Sequence, residues 1–314
     1  MGLYVLKRVL QAGFVLFGVS VIVFGLIQLV PGDPVRVALG TRFDPETYEA
    51  LRERAGLDAP LLQQYVSYLF HAVTGDLGVS FRTGQPVTEI LLERLPATAS
   101  LAVTAVVIAL LVALPLGTLA AVRAGSVWDY GATGLSQVGV SLPDFWMGIL
   151  FILLFASTLG WLPPSGYVPF LESPGGWLEH VLLPAASVGL VSGAILTRFV
   201  RGAVLESLRR EYTRTARSKG LSERVVVRRH VLRGALVPIV TVTGLQLASL
   251  LGGVIVIEVV FAWPGLGQMT LDAVRARDYP VVQGAVLLFA VTFLVVNLLV
   301  DLLYAALDPR IGYR

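Results

Sequence analysis

The sequence predicts an all-α integral membrane protein with six transmembrane helices and cytoplasmic N- and C-termini, and three observations carry that prediction. The 314 residues are 55% hydrophobic and 14% charged, against about 25% charged in a typical soluble domain. Mean hydropathy is +0.77, which is more apolar surface than a soluble fold of this size can hide from water. Six apolar runs reach the about 20 residues that a helix needs to cross a bilayer. None of them alternates in polarity, as barrel strands do. The balance of 24 Lys and Arg against 21 Asp and Glu is too mild to argue for nucleic acid, and fits basic residues gathered at a cytoplasmic membrane face. There is no cysteine, so disulfide scaffolds, thiolate metal sites and thiol nucleophiles are excluded.

The runs follow in order. Residues 9–30 are uncharged and span about 33 Å as a helix. They follow Lys7 and Arg8 as a secretory leader would, but the run is too long for a leader and Leu29-Val30-Pro31-Gly32 offers no cleavage site, so it is expected to stay as a span. Residues 31–96 form a long polar loop, punctuated by Pro31-Gly32-Asp33-Pro34 and Gly75-Asp76-Leu77-Gly78. Within it, 45–55 and 60–73 have the pattern of short amphipathic helices. The second span is expected at 97–122 and the third at 145–162, after an uncharged stretch at 130–143. The fourth is expected at 181–197, the fifth at 234–257 and the sixth at 279–300. With the N-terminus inside, the inner segments hold 16 Lys and Arg and the outer ones 8. That asymmetry sets both termini in the cytoplasm. The whole chain, 1–314, is expected to form one transmembrane domain.

The inner loop 198–236 carries the strongest local signal. Leu205, Leu208, Tyr212 and Thr215/Ala216 recur at helical spacing, which predicts one helix over 203–219. Gly220 breaks it, with Arg217 and Lys219 in the last turn, as a left-handed C-terminal cap does. Ser222 is placed to cap a second helix with Glu223 in its first turn. That helix carries Val225, Val226, Val227, Val231 and Leu232 towards Pro238. The product is a basic helix–Gly–helix elbow. A plain solvated loop needs only charge, whereas the stripe, the capped break and the small pair Ala216 and Gly220 favour a protein docking site.

At these residues the chain resembles a known family. Glu211-Tyr212-x-x-Thr215-Ala216-Arg217-x-Lys219-Gly220-Leu221, then Arg229-His230-x-Leu232-Arg233-x-Ala235-Leu236-x-Pro238, is similar to the "EAA" loop of bacterial ABC-importer permeases. The wider set resembles the B-type permease subunit of dipeptide/oligopeptide and nickel importers. It comprises the two loop motifs above, extended to Ser80, with Arg94-Leu95-Pro96-Ala97-Thr98 and His180-x-x-Leu183-Pro184-Ala185. It continues with Phe261-Ala262-Trp263-Pro264-Gly265-Leu266-Gly267, Arg277-Asp278-Tyr279-Pro280 and Asp308-Pro309-Arg310. Ser218 departs from the family, which usually has alanine there.

The resemblance implies a type I ABC-importer permease fold in the bacterial plasma (inner) membrane, moving short peptides. Another permease of the same family, for nickel or another small solute, is the alternative. The implied partners are a second homologous permease, two ATP-binding subunits that hold the ATP and Mg, and an extracytoplasmic solute-binding protein docking near 31–96. The elbow would be the coupling helix, with Glu211, Tyr212, Thr215, Ala216, Arg217, Lys219, Gly220 and Leu221 as its residues.

This chain is not expected to catalyse anything itself or to bind a cofactor or metal. Its two lysines, Lys7 and Lys219, follow Leu6 and Ser218, so no P-loop is present and ATP hydrolysis must come from partners. His71, His180 and His230 are scattered and suit packing better than metal binding. Asp144, Glu258 and Asp301 lie in or beside spans, where acids are costly and become functional candidates. Ser141-Leu142-Pro143-Asp144 reads as a helix cap, with a cavity-lining role for Asp144 as the alternative. Glu258 is open between a rim position, a partner for Arg275 or Arg277, and the translocation pathway. Asp301 reads as interfacial. Gly252-Gly253 suits close helix packing. An intramembrane enzyme would need Asp144 and Glu258 as its acid pair, and no known motif surrounds them. An ATP-independent channel would have no use for the elbow.

Overall fold

The computed structural model describes residues 2–29, 32–33, 35–36, 44–54, 56, 58–252 and 254–307. Pro31, Pro34, Gly253 and the Asp308-Pro309-Arg310 motif lie outside the described residues. The described chain is mostly helical and holds five helices long and apolar enough to cross a membrane, or six if one bent pair counts as a single span. Two compact units divide it: Met1–Thr98 with Pro264–Leu294, and Ala99–Trp263 with Val295–Arg314.

The first unit contains α1 (Gly2–Gln28), α2 (Pro45–Arg54), α3 (Leu61–Val73) and the start of α4 (Val87–Val122). It also holds α12 (Leu266–Ala276) and most of α13 (Tyr279–Leu307). The two amphipathic loop helices therefore form where their patterning predicts, and α12 has no counterpart in the sequence reading. Its core is Val87, Leu91, Leu266, Ala273, Val281 and Ala285. Gly284 lets α13 come close to α4, since a Cβ there would lie 2.6 Å from Val87 Cγ1. Phe24 of α1 packs on Tyr65 and Tyr68 of α3.

Two motifs that lie far apart in sequence meet in this unit. Asp278 is buried, and its carboxylate accepts from the Ser80 hydroxyl and from the Phe81 amide at 3.0 Å. The turn that presents Ser80 is shaped by Gly75 and Gly78 at φ 87° and 82°, a region glycine enters without a Cβ penalty. Asp76 accepts from the Gly78 amide at 2.9 Å. Thr98, of the Arg-Leu-Pro-Ala-Thr motif, accepts the Leu266 amide at 2.8 Å in a buried site.

The second unit holds the rest of α4 and α13, with α5 (Val127–Ser141), α6 (Asp144–Phe151) and α7 (Pro174–Arg209). It continues through α8 (Glu211–Ser218), α9 (Glu223–Val226), α10 (Leu232–Leu251) and α11 (Ile255–Val260). Small residues set its main seam. A Cβ on Gly189 of α7 would meet the Ala105 carbonyl at 2.7 Å, and one on Gly193 the Ala109 carbonyl at 3.2 Å. Such close backbone approach is how membrane helices gain dispersion contact when lipid is as apolar as their side chains.

Four expected boundaries are corrected. The third span is not a straight helix over 145–162. It is a pair, α5 and α6, bent by 96°, and the uncharged stretch before it is itself helical. Pro143 explains the break: it supplies no amide hydrogen and drives Leu142 to extended backbone, φ −92° and ψ 129°. A π-helical segment, Ile152–Thr158, then follows α6. The second and fourth spans are longer than their apolar runs, because charged residues end hydrophobicity without ending a helix. α7 starts well before residue 181, where Ser173 caps Gly176 and Pro174 opens the helix. The fifth span stops at Leu251, and Gly252 ends α10 rather than packing against a neighbour.

Candidate functional site

The elbow lies in the second unit, between the end of α7 and the start of α10. Gly220 has φ 74°, as its capping position predicts, and accepts no crowding: a Cβ there would meet no atom within 4 Å. Its amide donates to Arg217 O at 2.9 Å, and the Lys219 amide to Thr215 O at 3.1 Å. Ser222 stands at the start of the second helix, φ −61° and ψ 145°, but its side chain makes no capping bond. Instead its carbonyl accepts from the Val225 and Val226 amides.

The first helix of the elbow is corrected. It is not continuous over 203–219 but breaks at Arg210, which is extended at φ −69° and ψ 148°. Polar side chains hold the break. Ser207 donates to Val231 O at 2.8 Å and bonds the Tyr212 hydroxyl at 2.6 Å, while Thr213 donates to Ser207 O at 2.8 Å. The Tyr212 hydroxyl sits so close to Gly234 that a Cβ there would displace it and crowd Ser207 Oγ at 2.8 Å. A second π-helical segment, Val227–Val231, follows α9 and leads into α10.

The break changes which residues face inward. Val204, Ser207, Thr213 and Ala216 are buried, and Tyr212 and Thr215 are exposed. Ala216 joins Val226, Val231, Ala235 and Ile239 in the core of the unit. The expected small pair is thereby undone: Ala216 packs inside its own chain and cannot admit a partner's backbone beside Gly220. Glu211, Arg217, Lys219, Gly220 and Leu221 remain on the outside with Tyr212 and Thr215.

Leu221 is 40% and Tyr212 44% exposed, amid charged neighbours. Apolar side chains presented on a rigid, charged tip are the usual anchors of a docking surface. One element of the tip escaped the sequence reading. Arg217 grips Glu223 with two hydrogen bonds, Nε at 3.0 Å and Nη2 at 2.6 Å, closing the elbow across Gly220. The signal was there in opposite charges six residues apart around a glycine break.

The acids resolve differently. Asp144 is the first residue of α6 and its carboxylate accepts the Phe145 amide at 2.8 Å. Ser141 does not cap α6: its hydroxyl donates to Gln137 O within α5. Glu258 is fully buried on α11, and its carbonyl accepts the Trp263 amide at 2.7 Å. Trp263 is itself fully buried, in edge contact with Tyr167 at 4.7 Å between ring centroids. Arg275 lies 3.9 Å from Asp272, and Arg277 ends α12 in left-handed backbone. His180 Nδ1 lies 2.7 Å from Gly176 O of its own helix.

The most developed polar cluster of the second unit was not foreseen. Asp129 of α5 is 5% exposed and takes Arg201 of α7 in two hydrogen bonds, 2.6 and 2.8 Å. The Gly125 amide adds a third at 2.9 Å. Beside the pair, Thr133, Ser136, Thr197 and Arg198 help line a cavity of about 140 Å³. The partners stand 72 residues apart, so no local spacing announces them.

Comparison with known proteins agrees with this geometry. Residues 113–313 match the family described as "Binding-protein-dependent transport system inner membrane component", and residues 1–102 match its N-terminal counterpart. A putative peptide transport system permease protein of Brucella suis is 45% identical over 309 residues, covering 98% of each chain. A di/tripeptide transport system permease protein of Pseudomonas aeruginosa is 41% identical over 319 residues, covering 95% of each. Among solved structures, an inward-facing methionine ABC transporter has a TM-score of 0.59 at 18% identity, covering 70% of this chain and 96% of that one. At that identity the likeness concerns the fold, which is the type I permease fold.

Proposed function

The chain belongs to the family of binding-protein-dependent transport system inner membrane components, and from that premise we propose that it carries short peptides through the inner membrane as one of two permease subunits. The family is that of ABC-importer permeases, multi-pass proteins of the inner membrane. The observation that carries the coupling part of the reading is the elbow. Its two arms are fastened to the core by Ala216 and Val226 while Gly220, Leu221 and Tyr212 stand outside. A rigid tip of this kind can pass a partner's movement to α7 and α10, which continue directly from it.

In this reading two ATP-binding subunits hold ATP and Mg and press on the elbow. A second homologous permease completes the pathway. A solute-binding protein delivers peptide at the face bearing 31–96, and both termini lie in the cytoplasm. Peptides are favoured over nickel by the naming of the relatives. Asp144 and Glu258 remain candidates for the pathway. The test is reconstitution of the permeases, ATPase subunits and binding protein in liposomes. Short peptides should raise ATP hydrolysis and accumulate in the compartment that contains the ATPase subunits. A response to a sugar, with none to a peptide panel, would sink the peptide assignment.

A further inference from the structure

The first unit holds a cavity of about 640 Å³ that no coupling or pathway role accounts for. Its size falls in the range of about 300–1,000 Å³ typical of small-molecule sites. It is lined from α1, α2, α3, the 75–81 turn and the first turn of α13. The framework around it is fixed: Asp278 holds Ser80 and Phe81, and Phe24 stacks on Tyr68.

The polar groups on its wall are unevenly satisfied. Arg52 is engaged by acids of its own loop, with Nη1 2.7 Å from Asp33 and from the Tyr48 hydroxyl and Nε 2.7 Å from Asp58. Burial pulls the Asp33 carboxyl upward, but hydrogen bonds from the Arg36 amide, Tyr48 and the Val35 amide, with the charge of Arg52, hold it below the ordinary value. Asp33 and Arg52 therefore cancel one another. Among the described residues the Glu53 carboxylate has no ion pair or hydrogen bond, and Asp76 uses one oxygen on the Gly78 amide. The Tyr68 hydroxyl is shielded from solvent and has no hydrogen-bond partner. Gln63 and Gln283 also line the cavity, and their side chains have no hydrogen-bond partner among the described residues. A shielded hydroxyl left unpaired is costly, so this wall suits a polar ligand.

The unmatched charge is negative, and the unmatched neutral groups are amides and a hydroxyl. A cation that also carries amide groups satisfies both. No group of three acidic or histidine side chains among the described residues is arranged to hold a metal ion, which turns the choice from a metal to an ammonium. Phe24, Phe81 and Tyr279 add apolar surface for a side chain. Resting on the peptide-transport reading above, we propose that this cavity is a receiving site for the N-terminal end of a short peptide. Glu53 and Asp76 recognise its α-ammonium, and Gln63, Gln283 and Tyr68 recognise its amides.

The test uses the assembled importer without its binding protein. The probe is the photoreactive dipeptide alanyl-4-benzoylphenylalanine, with its N-acetyl form as control. Labelling of the wild-type chain should map to α3 or the start of α13, and N-acetylation should lower it about tenfold, as loss of a charge-assisted contact does. Glu53→Gln combined with Asp76→Asn should lower it by the same factor, since Asn still accepts the Gly78 amide. Tyr68→Phe should lower labelling without lowering the melting temperature. Labelling elsewhere, or labelling indifferent to acetylation, overturns the proposal. So does unchanged labelling in the charge variant with weakened attachment of the binding protein, which would make this face a docking surface instead. A wild-type importer that transports peptides with no labelled cavity defeats the site alone. A labelled cavity in an importer that moves no peptide defeats the transport reading and leaves the site standing.

Discussion

Asp129 shows what a single buried charge asks of its surroundings. Its carboxylate is almost fully covered, and Arg201 and the Gly125 amide together satisfy it. Removing one partner of a buried pair costs about 3–5 kcal/mol because the other charge is stranded. Arg201 keeps about a third of its side chain exposed, so Asp129→Asn is expected to cost less, about 2 kcal/mol. Thermal unfolding of the detergent-solubilised chain should show a lowered midpoint, and Arg201→Lys a smaller fall because lysine cannot grip both oxygens. A midpoint equal to wild type for Asp129→Asn would mean that the pair is dispensable. Pairs of this kind were not legible in the sequence. The Ser80 and Asp278 motifs were visible one by one, but nothing in a linear chain says that they bond each other.

Among the elements, the elbow was read well at its turn and poorly at its arms. A glycine after a basic last turn has one strong explanation, and Gly220 adopts it. The arm failed because a stripe at helical spacing assumes a continuous helix, while Ser207, Thr213 and Tyr212 offered side-chain bonds that paid for a break at Arg210. Two substitutions separate turn from arm. A Cβ at position 220 would meet no atom within 4 Å, but Gly220→Val places a β-branched residue at positive φ, at a penalty of about 1–2 kcal/mol. It should weaken ATPase-subunit binding or uncouple ATP hydrolysis from transport, with the spans still inserted, whereas Gly220→Asn should be mild. Ala216→Leu should instead lower the stability of the chain itself, because Ala216 sits in the core and extra volume there strains it. Co-purification with the ATPase subunits, alongside melting curves, reads both. Wild-type association and coupling in Gly220→Val would reduce the elbow to a topology signal.

At the scale of the whole molecule, composition alone established the class, because no soluble fold could hide this much apolar surface. Orientation rests on a different kind of argument, the excess of Lys and Arg in the inner segments. The elbow between α7 and α10 holds most of that excess, so it should stay on the cytoplasmic side, where moving arginines across the bilayer is avoided. The stretch 163–180 has no Lys or Arg and should lie outside. The chain has no cysteine, so single replacements report cleanly with a membrane-impermeant maleimide. Thr41, in the outer loop, lies outside the described residues, whereas the outer Ser165 and the inner Ser222 are both exposed. In intact cells Ser165→Cys should react and Ser222→Cys should not; after the membrane is opened, both should react. Reaction at position 222 in sealed right-side-out cells would invert the topology. It would place the elbow opposite any ATP-hydrolysing partner, so coupling through Gly220 would fail with it.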